Sequence, residues 1–137
     1  MLKQLADTLN YHGEALKLRA ERQRVLAANI ANADTPNYKA TDFDFKAALQ
    51  NATAGAGSVA GVPVAVKTDP RHLTASTLSL SGVRLQFRTP YQLSIDGNSV
   101  EMDIERAGFA DNAVRYEASL RFLNSQIKAL TLAIQGQ

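Results

Sequence analysis

The stretch that decides the fold is Ala28-Asn29-Ile30-Ala31-Asn32-Ala33-Asp34-Thr35-Pro36-Asn37-Tyr38-Lys39. Its first residues continue the apolar spacing of a helix. Pro36 has no backbone N–H and moves the residue before it out of the helical conformation, so we expect the helix to end between Asn32 and Asp34. Proline followed by asparagine then predicts a turn, because Asn37 tolerates a positive φ at modest cost.

The residues before this stretch predict one long helix. Apolar side chains recur at alternating spacings of three and four from Leu2 onwards, with polar breaks at His12, Arg19 and Gln23. Such a helix would be about 48 Å long, which exceeds what the core of one small domain covers. The charged residues of 17–24 are expected on a solvated or subunit-facing surface. The apolar side chains expected to pack between subunits are Leu5, Leu9, Leu16, Leu26 and Ile30.

The last segment carries the clearest pattern. From Met102 to Ile134, a series of mostly apolar side chains follows alternating spacings of three and four, with Arg106 as its polar member. This predicts a long amphipathic helix whose apolar seam faces the first helix in an antiparallel pair. The apolar faces are wider than one such pair buries, so further neighbours are implied. The seam residues expected to carry subunit packing are Tyr116, Leu120, Leu123, Ile127 and Leu130.

The segment after the turn predicts a short helix followed by a loop. Asp42 or Asp44 is placed to cap a helix over residues 42–49. Residues 51–61 are rich in alanine and glycine without any period, which predicts a mobile loop.

Two strand patterns follow, at Val62–Val66 and Val83–Arg88, and Asp96-Gly97-Asn98 predicts a tight turn. At most these form a small β-ribbon. The predicted fold is therefore mainly α, with two long terminal helices in an antiparallel, coiled-coil-like pair and a small irregular or β-ribbon middle segment. The predicted parts are an N-terminal helix (1–34), a middle segment (35–101) and a C-terminal helix (102–137).

Composition argues against several functional classes. The net charge is +2 over 137 residues, so the basic excess typical of nucleic-acid binding is absent. We expect no membrane span, because no run of about 18 apolar residues occurs. There is no cysteine, and His12 and His72 stand without neighbouring metal ligands. The sequence therefore predicts no catalytic residues, no cofactor and no metal site.

The quoted stretch resembles the N-terminal signature of flagellar rod, hook and hook-associated proteins, roughly A-N-N-[LI]-A-N-x-x-T-P-G-Y-[KR]. Asn37 departs from it, because the family usually has glycine there. Asp42-Phe43-Asp44-Phe45 and Ser94-Ile95-Asp96-Gly97-Asn98-Ser99-Val100-Glu101-Met102-Asp103 are similar to motifs of its proximal-rod members. Phe109-Ala110-Asp111-Asn112 and Arg115-Tyr116 also fit.

The resemblance implies a structural subunit of the proximal rod. Such proteins are exported through the flagellar channel without a cleaved signal peptide, assemble around that channel in the periplasm and transmit torque. The implied partners are copies of the chain itself, the rod proteins FlgC, FlgF and FlgG, FliE and the MS ring. The residues expected to fix the corner after the first helix are Asn29, Asn32, Thr35, Pro36 and Tyr38.

One alternative is a helical adaptor or export chaperone that binds a client helix with the same apolar seams. It predicts two terminal helices that are protected in the isolated protein, whereas a rod subunit predicts labile ends that become ordered on assembly. An enzyme ranks third, because no constellation of polar side chains suggests catalysis.

Overall fold

A computed structural model describes residues 2–54, 79–80, 83–91 and 94–136. Three helices dominate: α1 (Leu2–Ala31), α2 (Phe45–Thr53) and α3 (Met102–Gln135). The strands are short: β1 (Thr41–Asp42), β2 (Ser79–Leu80), β3 (Val83–Arg84) and β4 (Gln86–Phe87). β1 pairs antiparallel with β4, and β2 pairs antiparallel with β3. Within the described ranges, no helix is long and apolar enough to cross a membrane.

The two long helices run antiparallel, as the sequence predicts. Near the start of α1, the ring centroids of His12 and Phe122 are 4.8 Å apart. Near its end, the side chains of Asn29 and Glu105 are hydrogen-bonded at 3.1 Å. Moving forward along α1 therefore means moving backward along α3. The mainly helical fold and the pairing of its terminal helices are confirmed.

A second face of α1 carries the apolar core. Ala15, Leu18 and Val25 are buried there, in one cluster with residues from the middle segment. Those partners are Phe43, Leu49 and Val83. The middle segment thus folds back along α1 on a face that the predicted seam did not include.

The middle segment corrects three predictions. The short helix begins at Phe45 and not at residue 42, because Asp44 is its N-cap and accepts a hydrogen bond from the Ala47 N–H at 3.1 Å. Residues 51–53, predicted as the start of a mobile loop, are the last turn of α2. The remainder of that loop from residue 55, the strand at Val62–Val66 and His72 lie outside the described residues. The strand predicted at Val83–Arg88 is divided into β3 and β4.

Part of the charged run on α1 is less exposed than predicted, whereas Lys17 and Arg24 are exposed as predicted. Glu21 is buried. Arg22 forms an ion pair with Asp42 of β1, and the Arg19 guanidinium lies 4.6 Å from the centre of the Phe45 ring. The middle segment therefore contacts Arg19 and Arg22, which the sequence pattern alone placed on a surface.

α3 is rotated relative to the predicted seam. The column Met102, Phe109, Leu123 and Leu130 is partly covered, as predicted, and Tyr116 of the same column is 38% exposed. The second column on the covered side is polar and recurs every seven residues: Glu105, Asn112, Ser119 and Gln126. The other column of the predicted seam, which was expected to face α1, is exposed: Arg106, Ala113, Leu120, Ile127 and Ile134. That part of the predicted seam is wrong for the single subunit.

The rotation has a physical reason in the partners of the polar column. Asn112 donates to the Arg19 carbonyl at 2.9 Å and to the side-chain oxygen of Gln23 at 2.6 Å. Glu105 is fully buried and hydrogen-bonded to Asn29. Turning α3 to bury the column of Leu120 and Ile127 would break these bonds and leave the buried amide of Asn29 without its Glu105 partner, which is costly.

Candidate functional site at the helix corner

Asn29 is the centre of the corner that joins α1 to the middle segment and α3. It is 0% exposed, and its amide group is fully used. The side-chain nitrogen donates to the Thr41 carbonyl at 2.8 Å and to Glu105 at 3.1 Å. The side-chain oxygen accepts from the Thr41 N–H at 3.1 Å and from the Tyr38 hydroxyl at 3.3 Å. One amide therefore holds α1, β1 and α3 together.

Four charged side chains form a connected cluster that reaches this amide through Glu105, and their charges balance one another. Arg22 of α1 donates through two nitrogens to Asp42, at 3.1 and 2.9 Å. Arg88, just after β4, donates to Asp42 at 2.8 Å and to Glu105 at 2.7 Å. Two guanidinium groups thus neutralise two carboxylates in a largely covered place, where ionised groups need partners.

The carbonyls at the end of α1 are bound by a residue far along the chain. The Asn98 side-chain nitrogen lies 3.0, 2.7 and 2.9 Å from the carbonyl oxygens of Asn32, Ala33 and Thr35. Its side-chain oxygen accepts from the Val100 N–H at 2.7 Å. Asn98 therefore acts as a tertiary cap for α1 and ties it to the segment that leads into α3.

The turn after α1 has the predicted form. The Tyr38 N–H donates to the Thr35 carbonyl at 3.3 Å, with Pro36 in the second position, and Asn37 has φ 62°. The segments on either side of the turn continue side by side. The Asn37 N–H donates to the Asp96 carbonyl at 2.9 Å, and the Ser99 N–H donates to the Tyr38 carbonyl at 3.0 Å.

The five expected corner residues occupy different places. Asn29 is buried at the centre, and Tyr38 reaches it through its hydroxyl group. Burial, followed by the charge of Glu105, raises the pKa of that hydroxyl. Asn32 binds the Ala28 carbonyl at 2.8 Å, and Thr35 donates to Asn32 at 3.2 Å. Pro36 is exposed and contributes through its backbone geometry.

The expected packing residues divide into three groups, which are buried, partly covered and exposed. Leu26 is buried within the subunit, where its side chain lies beside Gly108. Partly covered residues are Leu9, Leu16, Ile30, Leu123 and Leu130, and exposed residues are Tyr116, Leu120 and Ile127. The side chain of Leu5 lies outside the described part of the chain. Among the expected packing residues, the exposed group leaves apolar surface open to another molecule.

Sequence reasoning missed the residues that hold the corner together. Glu105 was given no role in the corner, and Asp42 was assigned to a possible cap. Arg22 was assigned to a charged surface, and neither Arg88 nor Asn98 was given a role in the corner. A signal existed for Glu105, because it begins the polar column of α3 that recurs every seven residues.

The contact between Asn37 and Gly97 gives a first prediction. Gly97 has φ 74°, and a Cβ on it would lie 2.7 Å from the side-chain oxygen of Asn37. We expect Gly97→Ala to lower the free energy of unfolding by about 1–2 kcal/mol, from backbone strain and from this contact. In an Asn37→Gly background the contact is gone, so the same change should cost less. Urea unfolding of the four proteins measures the difference, and strictly additive losses would contradict this account of the turn.

A second prediction concerns acid. Burial alone would raise the pKa of Asp42, but hydrogen bonds from Arg22, the Phe43 N–H and Arg88 hold it below its ordinary value of 3.8. Because the folded pKa is lowered, the ionised carboxylate contributes stability that is present above the unfolded pKa and is lost as the pH falls through the folded pKa. The free energy of unfolding should therefore decrease from about pH 5 downwards.

The matched variant for this prediction is Asp42→Asn. It should be less stable than the native chain at neutral pH, yet lose less on acidification, because it has no carboxylate to protonate at this position. Urea titrations followed by circular dichroism at several pH values compare the two slopes. Equal pH dependence in both proteins would show that Asp42 is not the sensitive group.

Comparisons with known proteins agree on one family. A family model described as "Flagella basal body rod protein" matches residues 9–39. The flagellar basal body rod protein FlgB of Escherichia coli (strain K12) is 45% identical over 136 residues, which is 99% of each chain. FlgB of Salmonella typhimurium is 44% identical over 136 residues, again 99% of each chain.

FlgB of Cereibacter sphaeroides is also similar, with 44% identity over 131 residues and 96% of each chain. This chain belongs to the FlgB family of flagellar basal body rod proteins. The family model matches part of α1 and the turn after it, so its match includes Asn29, Asn32 and Tyr38 of the corner. The FlgB relatives extend over the middle segment and α3 as well.

Proposed function

We propose that this chain is a structural subunit of the flagellar basal body rod, built into the proximal rod through its terminal helices. The nearly full-length similarity to FlgB proteins supports the rod assignment. The observation that carries the mode of assembly is the exposed column on α3. Ile127 is 48% exposed and Ile134 is 86% exposed on a helix that already has α1 as its partner.

The occupant of that column is a terminal helix of a neighbouring rod subunit. An amphipathic helix is the partner that matches a long apolar stripe with a period close to seven residues. The stripe is uncovered in a single chain, so the free energy of covering it becomes available when subunits meet. Assembly would therefore be linked to ordering of the helix ends.

The parts of the subunit have different roles in this proposal. Residues 1–34 and 102–137 form the layer of helices around the export channel, and residues 35–101 supply outer contacts and fix the corner. The length of α1 and α3 supports the first role, because both extend beyond the apolar cluster around Leu18. The network at Asn29 supports the second, because it sets the position of α3 relative to the middle segment.

The finer assignments rest on the family. We propose a periplasmic location, export without a cleaved signal peptide, and transmission of torque through the rod. The proposed partners are copies of this chain, FlgC, FlgF, FlgG, FliE and the MS ring, with no nucleic acid. The FlgB relatives are named as rod proteins and not as enzymes, so we assign no catalytic step. An adaptor or export chaperone is not favoured by these relatives.

The test is recovery of the chain from purified basal bodies. A strain that lacks the gene should be non-motile and should regain motility when an epitope-tagged copy is supplied. The tag should then be present in basal bodies stripped of membrane and soluble protein. Restored motility with no tag in the basal bodies would indicate an adaptor and would contradict the proposed function.

A further inference from the structure

Arg88 connects two carboxylates that belong to different parts of the subunit. One terminal nitrogen donates to Glu105 of α3 at 2.7 Å, and the other donates to Asp42 of β1 at 2.8 Å. A guanidinium has several donors in a fixed plane and can serve both acceptors at once, whereas an ammonium is a single point charge. Because Arg88 directly follows β4, the position of β4 determines whether its guanidinium can pair with Glu105.

Glu105 has a strong requirement for this cation. Its side chain is 0% exposed, and its other oxygen accepts from the neutral amide of Asn29. Arg22 is engaged through two nitrogens by Asp42. In the described part of the chain, Arg88 is the cation in contact with Glu105. Without it, α3 could dock on α1 only by burying an ionised carboxylate with no counter-charge, which is strongly unfavourable.

We propose that Arg88 is a latch that makes the docking of α3 on α1 depend on a correctly seated β1–β4 pair. β4 is joined to β1 by strand pairing, and the Arg88 N–H donates to the Ala40 carbonyl at 2.9 Å. When this pair is formed, Arg88 is delivered to Glu105 and the first turns of α3 close onto α1. When it is not formed, the start of α3 stays open.

The latch has a consequence for assembly. The exposed column of α3 takes a fixed orientation relative to the rest of the subunit only after Glu105 and Asn112 have bound the first turns of α3 to α1. A subunit with an unfinished middle segment would therefore not present its apolar column correctly to a neighbour. This consequence rests on the proposed rod function, whereas the latch is a property of the isolated subunit and is tested there.

The experiment is amide hydrogen exchange on the monomer at low concentration, for the native chain, Arg88→Met, Glu105→Gln and the double variant. We expect residues 102–112 to exchange at least about tenfold faster in Arg88→Met. The double variant should recover most of that protection, because a neutral glutamine needs no cation. Arg121→Met is the matched control, since it removes an exposed ion pair within α3 and should leave the exchange of residues 102–112 unchanged.

A second readout separates the latch from general loss of stability. α2 packs on α1 around Leu49, and Asp42 keeps Arg22, so exchange of residues 45–53 should change by less than about threefold in Arg88→Met. Arg88→Lys should give intermediate protection at 102–112, because one ammonium cannot bridge both carboxylates.

The outcomes are distinct. If Arg88→Met does not fold but the double variant does, the latch is supported. Unchanged protection at 102–112 in Arg88→Met would overturn it. So would equal losses at 45–53 and 102–112, or a double variant as open as Arg88→Met. None of these results depends on whether the chain enters the rod, which the basal-body test decides separately.

Discussion

Replacing Ile127 by aspartate is expected to abolish incorporation of the subunit into the rod while leaving the monomer intact. Ile127 is 48% exposed, so its loss should change the free energy of unfolding by no more than about 0.5 kcal/mol. In the rod, the same position would hold an unpaired carboxylate in an apolar contact. That should weaken each contact by about 3 kcal/mol, or roughly a hundredfold in the association constant.

The measurement combines motility, the amount of chain in purified basal bodies and the urea midpoint of the monomer. Ser125→Asp is the matched control. Ser125 is also exposed but lies on another side of α3, and the substitution introduces the same charge. It should be incorporated normally. Leu123 is less suitable for substitution, because it is partly covered already in the single subunit. Normal incorporation of Ile127→Asp would show that the exposed column is not a subunit contact.

Replacing Asn29 by aspartate, a side chain of nearly the same shape, is expected to lower the free energy of unfolding more than any other asparagine-to-aspartate substitution in the chain. The Asn29 nitrogen that donates to Glu105 at 3.1 Å would become a carboxylate oxygen beside another buried carboxylate. The bond to the Thr41 carbonyl would also be lost, because an ionised carboxylate cannot donate. The free energy of unfolding should fall by about 3–5 kcal/mol at neutral pH.

The pH dependence of Asn29→Asp is diagnostic. Two carboxylates this close favour sharing a proton, so mild acid should restore part of the lost stability in the variant. The native chain should not gain stability over the same interval, because Asp42 is ionised in its folded form. Asn124→Asp on the exposed side of α3 is the control, with an expected change below about 0.5 kcal/mol. If the Asn29→Asp variant had native stability at neutral pH, Asn29 would not be the residue that holds the corner together.

The end of α1 at Ala31 could be predicted to within one residue, because its determinants are local. Pro36 excludes a continued helix, and Asn37 adopts the positive φ that the turn requires. The cap of α2 at Asp44 was among the two candidates for the same reason, since a capping side chain acts within one turn of helix.

The orientation of α3 could not be predicted from its apolar pattern. Amphipathic reasoning brings apolar side chains to the face that meets α1, so it does not bring Glu105 and Asn112 there. These residues face α1 because their partners, at Asn29 and Gln23, are 76 and 89 residues away in the sequence. The same holds for Asn98, whose acceptors at the end of α1 are identified only when the chain has folded back.

The corner network also could not be predicted, because its contacts join residues that are far apart in the sequence. Arg22, Asp42, Arg88 and Glu105 are ordinary surface residues by composition, and only the reversal of the chain at Pro36 and the pairing of β1 with β4 bring them together. The quoted motif identified Asn29 as a corner residue through family resemblance. Its physical role is known only from the folded structure, where its amide forms hydrogen bonds with Thr41, Glu105 and Tyr38.

The most direct test of the account is site-specific photo-crosslinking in assembled basal bodies. A benzophenone side chain would be placed at Ile127 in one strain and at Ser125 in another, with motility as the check that each rod is functional. We predict that Ile127 gives crosslinks to a terminal helix of another rod subunit, identified by mass spectrometry, and that Ser125 gives far fewer. Functional rods in which position 127 crosslinks to no other subunit would contradict the claim that this exposed column of α3 assembles the rod.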